Sequence, residues 1–156
     1  MIVDVSTTLD CSADRVWQEV QTSRLLEHIA APLLRFDPID PPALPDVWDF
    51  RTYLIRLKLC AVIPLGKHVI SISQPQIDAL PGQPYQIRDN GYGDIISKWD
   101  HLITVEALGD GRTRYTDRVE VGAGVLTPFV WLYASLFYRH RQRRWRQLVR
   151  GNFAYA

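Results

Sequence analysis

"KWDHLITVEALGDGRTRYTDRVEV", Lys98 to Val121, reads as two alternating arms around the turn Gly109-Asp110-Gly111. On the first arm the odd positions carry Trp99, His101, Ile103 and Val105, and the even ones Lys98, Asp100, Thr104 and Glu106. On the returning arm Thr113, Tyr115, Asp117, Val119 and Val121 alternate with Arg112, Arg114, Arg118 and Glu120. Side chains two apart share a face of a strand, so the apolar odd faces of both arms point inward. A three-residue loop pairs Leu108 with Arg112, His101 with Val119, and Ile103 with Asp117. His101 and Asp117 then become diagonal neighbours within side-chain reach, while Asp100 points the other way.

Working outward, "IVDVSTTLD" alternates as a strand with Val3, Val5, Thr7 and Leu9 on one face. Ser12 offers an N-cap to a short helix, "ADRVWQEV", with Asp14 in its first turn. A second short helix starts at Ser23 and stops near Pro32. "FDPIDPPALPDV" holds four prolines and is expected to be a loop. From Trp48 the period becomes two: Tyr53, Ile55, Leu57 and Leu59 share one face, and His68, Ile70 and Ile72 share another in "KHVISISQ". A second proline-bearing loop, "PQIDALPGQP", precedes a strand near "YQIRDNG". Strands joined by short turns predict an antiparallel meander with one wet face.

The last element starts with Thr127 as N-cap and Pro128 at the first helical position. It is expected to run to about Leu148, roughly 33 Å at ~1.5 Å per residue. Val130, Ala134, Phe137, Trp145 and Leu148 form its apolar stripe, and Arg141 falls on that stripe between Phe137 and Trp145.

A chain of 156 residues fits a single domain, 1–156, with no internal repeat. An apolar fraction of 47% and a charged fraction of 22% are those of a globular protein. The N-terminal stretch lacks the basic start and apolar run of a signal peptide, and no segment is long enough to span a bilayer. Cys11 and Cys60 show no metal or disulfide spacing, so a soluble cytoplasmic protein is expected. Six arginines and no acid lie between Thr127 and Arg150. Such an element is read first as a solvated helix face, and otherwise as a partner surface. The near-neutral whole, +1, gives no reason to expect nucleic acid.

The order strand, two short helices, meander, long helix resembles the helix-grip proteins of the START-like, or SRPBCC, superfamily. That superfamily includes lipid transfer domains and polyketide cyclases. The residues that carry the resemblance are "SADRVWQEV", "VIPLG", the hairpin quoted above and "YRHRQRRW" in the last helix. The resemblance implies an α+β fold: a curved antiparallel sheet of about six or seven strands wrapped around the C-terminal helix. It also implies an apolar cavity between sheet and helix, and it brings no shared catalytic motif.

Inward parity, set within that frame, predicts a pocket lined by Tyr53, His68, Ile70, Trp99, His101, Tyr115 and Phe137, with Asp117 and Arg141 as its polar groups. Asp117 on an apolar face needs a partner, for which His101, Tyr115, Tyr53 and Arg141 all qualify. The cluster either fastens helix to sheet, which is favoured, or orients a ligand, or performs acid/base work.

Other chemistries lack their signatures. The four histidines have no metal-ligand spacing, G-x-S-x-G is absent, and "GAGVLT" lacks both the third glycine and the βαβ context of a dinucleotide site. No metal or cofactor is expected. The favoured function is non-catalytic binding or transport of a hydrophobic small molecule or lipid. The alternatives are a cyclase, hydratase or hydrolase acting on a polyketide-like or aromatic substrate, and a docking module in weak contact with anionic membranes through the arginine helix. The final helix discriminates among them. Gripping by the sheet predicts Trp131 and Leu136 largely buried and Arg143 and Arg144 mostly in solvent. An exposed patch around Leu132 and Leu136 would instead move docking ahead of carriage.

Overall fold

A computed structural model describes residues 1–75 and 80–155. The loop reading of "PQIDALPGQP" therefore lies partly outside the described residues. The chain runs β1 (Ile2–Leu9), α1 (Ala13–Val20), α2 (Ser23–Ala30), β2 (Leu34–Asp40), β3 (Thr52–Leu59), β4 (Ile63–Ser73), β5 (Tyr85–Gly93), β6 (Lys98–Ala107), β7 (Thr113–Gly122), a short 3-10 turn (Gly124–Leu126) and α3 (Thr127–Arg150). The seven strands form one curved antiparallel sheet in the order β1-β7-β6-β5-β4-β3-β2. The central hairpin has the register expected from its turn, with His101 opposite Val119 and Ile103 opposite Asp117.

The helix starts have local causes. The Ser12 hydroxyl accepts from the Arg15 amide at 3.3 Å, and the Thr22 hydroxyl from the Leu25 amide at 3.2 Å, each meeting an amide that has no partner within the helix. α3 starts differently from the expectation. Thr127 is its first residue, not its N-cap. The Thr127 hydroxyl accepts from the Ala123 amide at 2.9 Å and donates to the Gly124 carbonyl at 2.7 Å, fastening the preceding turn. The helix then continues through Arg150, a little beyond the expected end.

β2 is a second correction. Leu34–Asp40 takes in the first five residues of "FDPIDPPALPDV" as a strand, although it contains Pro38. It is the outermost strand, and its pairing with β3 shifts between Pro38 and Asp40. At an edge, a proline without an amide proton removes no bond that the ladder needs.

α3 lies across the concave face against β1, β7 and α2. Its buried residues are Ala134, Phe137, Tyr138, Arg141, Gln142, Trp145 and Leu148, a wider stripe than the one expected. At its N-terminal half the outer face is bare: Phe129 is 72% exposed, Leu132 54% and Leu136 56%. The expected burial of Leu136 is therefore wrong, because neither sheet nor loops cover that side of the helix. Trp131 is half-buried, its indole N–H donating to the Ile2 carbonyl at 2.8 Å. Arg143 is exposed as expected, but Arg144 is half-buried. Its guanidinium donates twice to the His28 carbonyl, at 3.2 and 3.0 Å, in the last turn of α2 where carbonyls lack helical partners.

Candidate functional site

Where α3 diverges from β2 to β6, a cavity of about 330 Å³ remains. Ligand pockets start at about this size. Its walls are apolar: Leu57 and Ile70 from the sheet, Val130, Tyr133 and Phe137 from the helix. Its mouth lies where lining residues are also exposed, at Ile95, Leu126 and Phe129. His68, Asp89, Trp99, His101, Tyr138 and Arg141 supply the polar and aromatic part of the lining.

Asp117 is buried behind this lining with every oxygen engaged. Oδ1 accepts from His101 Nε2 at 2.8 Å and from the Tyr115 hydroxyl at 3.0 Å, and Oδ2 accepts from Gln142 Nε2 at 3.2 Å. Arg141 Nη2 donates to the Tyr115 hydroxyl at 3.0 Å, while Nε stands 3.5 Å from Asp117 Oδ1 with no hydrogen bond. Burial works to raise the Asp117 pKa, but Arg141, His101 and Gln142 together hold it below the usual carboxylate range. Burial lowers His101 despite the neighbouring carboxylate, so the imidazole is neutral and its Nε2–H donates a hydrogen bond to Asp117. A neutral imidazole then has an acceptor at Nδ1.

Six of the nine sequence-predicted site residues meet at the cavity: His68, Ile70, Trp99, His101, Phe137 and Arg141. Tyr53, Tyr115 and Asp117 do not line it. All three face inward and are buried, but parity selects only the face of a strand and leaves depth under the helix open. The Tyr53 hydroxyl is taken by the Asp49 backbone, accepting from its amide at 2.9 Å and donating to its carbonyl at 3.2 Å. The hydroxyl of Tyr115 and the carboxylate of Asp117 are consumed by each other, His101, Gln142 and Arg141.

Two site residues went unread. Asp89 sits opposite His101 in the β5–β6 ladder, and its Oδ1 accepts from the Ser71 amide at 2.8 Å. Burial pushes its carboxyl up to about 7. The alternation Ile87, Asp89, Gly91 was the signal for it. Tyr138 packs between Trp99 and His101, with ring centroids 6.0 and 4.9 Å away. His68 is neutral, lowered to about 4 by burial. Its ring occupies the space above Gly91 and Gly93, where a Cβ would come within 2.9 and 2.8 Å of its nitrogens.

Among the described residues no group of three or more His, Cys, Asp or Glu is placed to hold a metal ion, and no helix is long and apolar enough to cross a membrane.

No family model and no curated protein matches the chain in sequence. Solved structures do match in shape. A START superfamily protein from Mycobacterium smegmatis is 17% identical over 96% of this chain and 97% of that one, with a TM-score of 0.68. The protein has a START-like fold. A conserved protein from Geobacillus kaustophilus shares this START-like fold at 17% identity, covering 97% of this chain and 96% of that one with a TM-score of 0.59. So does the Zhui aromatase/cyclase from Streptomyces sp. R1128, 15% identical over 98% of this chain and 93% of that one, TM-score 0.56.

Proposed function

We propose that the protein binds and carries a hydrophobic small molecule in the cavity between sheet and α3. The observation that carries this reading is the void itself: a well-packed interior of this size holds few empty spaces larger than a water molecule, whereas here about 330 Å³ stays open behind an apolar mouth. The START-like fold supports it, since such folds generally bind hydrophobic ligands. Catalysis of the aromatase/cyclase type ranks behind binding, because Asp117 is fully engaged by His101, Tyr115 and Gln142 and burial lowers the pKa of His101, which leaves its free Nδ1 a weak base. Native mass spectrometry of the protein purified from cells tests the reading. A copurified apolar compound released on denaturation is expected. Protein that is mass-clean and fails to take up any hydrophobic probe would overturn it.

The bare outer face of α3 favours a second activity alongside the first: docking on an anionic membrane surface. Phe129, Leu132, Leu136, Arg139 and Arg143 recur at helical spacing on one side, apolar first and cationic after. Among the described residues neither Arg139 nor Arg143 forms an ion pair, so both charges remain available to lipid phosphates. Phe129 belongs to this face and to the cavity mouth alike. The patch around Leu132 and Leu136 is exposed, which meets the condition that moves docking ahead, and its continuity with the mouth joins docking to carriage.

A further inference from the structure

The inner end of the cavity presents more hydrogen-bond donors than the protein uses. An arginine carries five N–H donors and no acceptor. Arg141 makes one hydrogen bond among the described residues, from Nη2 to the Tyr115 hydroxyl at 3.0 Å. Its Nε is buried 3.5 Å from Asp117 Oδ1 but makes no hydrogen bond, and Arg141 lines the cavity. The same guanidinium lies 5.8 Å from the centre of the Tyr138 ring. Tyr138 also lines the cavity, and its hydroxyl bonds no described residue. Trp99 and His101 pack against that ring and hold it in place. Asp89 adds a carboxyl whose Oδ1 is met by the Ser71 amide, leaving Oδ2 open. Burial lifts its pKa to about 7, so the carboxyl in its protonated form is a further donor.

The acceptors facing this group are fewer than its donors: Nδ1 of His101, one ring nitrogen of His68 and Oδ2 of Asp89. A hydrocarbon placed here would leave the guanidinium donors unmet, and an ammonium would meet a like charge. A ligand oxygen satisfies them, since guanidinium geometry matches a carbonyl or carboxylate.

Resting on the reading of the cavity as a ligand site, we infer that the ligand carries an oxygen acceptor, a carbonyl or a carboxylate, at its buried end. That oxygen sits against Arg141 and Tyr138. The apolar body extends past Ile70 and Phe137 toward Phe129 at the mouth.

Isothermal titration with four compounds built on one apolar body separates the outcomes: acetylnaphthalene, naphthoate, ethylnaphthalene and naphthylmethylamine. The ketone, the acid or both should bind at least about tenfold more tightly than ethylnaphthalene, the effect of one or two well-made hydrogen bonds. Whichever of the two binds better identifies the acceptor as carbonyl or carboxylate. Tyr138→Phe, which deletes a single hydroxyl, should narrow the gap and leave ethylnaphthalene unchanged. Equal binding of ethylnaphthalene and both oxygen-bearing probes overturns the inference while the cavity reading stands. Tightest binding of the amine overturns it as well. Binding by none of the four overturns the cavity reading and this inference together.

Discussion

Asp89 and His101 stand directly opposite each other in the β5–β6 ladder, and burial moves their pKa values in opposite directions. For each of them the low-dielectric setting favours the uncharged form, which is the protonated form of an acid and the deprotonated form of an imidazole. His101 is therefore neutral and serves Asp117 as a donor, and Asp89 keeps its proton far above the usual carboxylate range, up to about pH 7. The fully ionised groups at this end of the cavity are Arg141 and Asp117, whose charges offset each other.

The Asp89 shift has a measurable pH signature. Its folded pKa of about 7 lies above the ordinary 3.8, so between these values the folded chain holds more protons than the unfolded one. The stability contributed by Asp89 is thus present below pH 3.8 and is lost as pH rises through about 7. Asp89→Asn removes the dependence. Relative to the parent it should gain stability as pH rises across that window and then level off, by up to about 1.4 kcal/mol per unit of displacement. Urea midpoints across a pH series check this, and a flat difference between the two proteins would contradict it.

Asp117 is the hub that fastens α3 to the sheet, and removing it leaves Arg141 buried without its counter-charge. Asp117→Ala should destabilise the fold by on the order of 3 kcal/mol. Equilibrium urea denaturation measures the loss. An unchanged midpoint would mean that the cluster has no structural role.

Gly91 keeps the cavity wall open to His68. A Cβ there would lie 2.7 Å from the Val69 carbonyl and 2.9 Å from His68 Nε2, and the carbonyl belongs to a paired strand that cannot easily yield. Gly91→Ala should cost about 1–3 kcal/mol by overpacking and should displace the imidazole from the lining. Thermal melting gives the first quantity, and a change in the His68 ring resonances reports the second. A variant with parental values of both would refute the contact.

The central hairpin was readable because alternation and a three-residue turn leave one register that buries both apolar faces. His101 and Asp117 were found in contact for that reason. Arg141 was found by its four-residue steps from Phe137 and to Trp145 on the helix. Tyr53 and Tyr115 were misplaced because parity carries no information on depth beneath the helix. β2 was hidden by Pro38 and the prolines that follow it, since an edge strand tolerates a proline that a central strand does not. Tyr138 is buried although it falls outside the stripe of Val130, Ala134, Phe137, Trp145 and Leu148, because the wrap of the sheet, which sets the width of the buried face, is a tertiary property. Leu136 erred in the other direction: sequence alone does not show which side of an all-round apolar helix is left uncovered.

The uncovered side of α3 yields the last prediction. Leu132 and Leu136 are each more than half exposed, so they contribute little to the core. Replacing both with Asp should leave stability within about 0.5 kcal/mol of the parent, as for surface positions generally. If the face docks on membranes, the same double variant should lose cosedimentation with phosphatidylcholine/phosphatidylserine vesicles, since two carboxylates would enter an anionic interface in place of two apolar contacts. Arg139→Gln with Arg143→Gln should weaken binding by removing attraction to phosphatidylserine, and should reduce its sensitivity to salt. Vesicles of phosphatidylcholine alone should bind the parent weakly. The two pairs separate the contributions, because the leucine variant acts at all salt concentrations and the arginine variant chiefly at low salt. Parental binding in the leucine variant, with its fold intact, would show that the exposed apolar face plays no part in membrane contact.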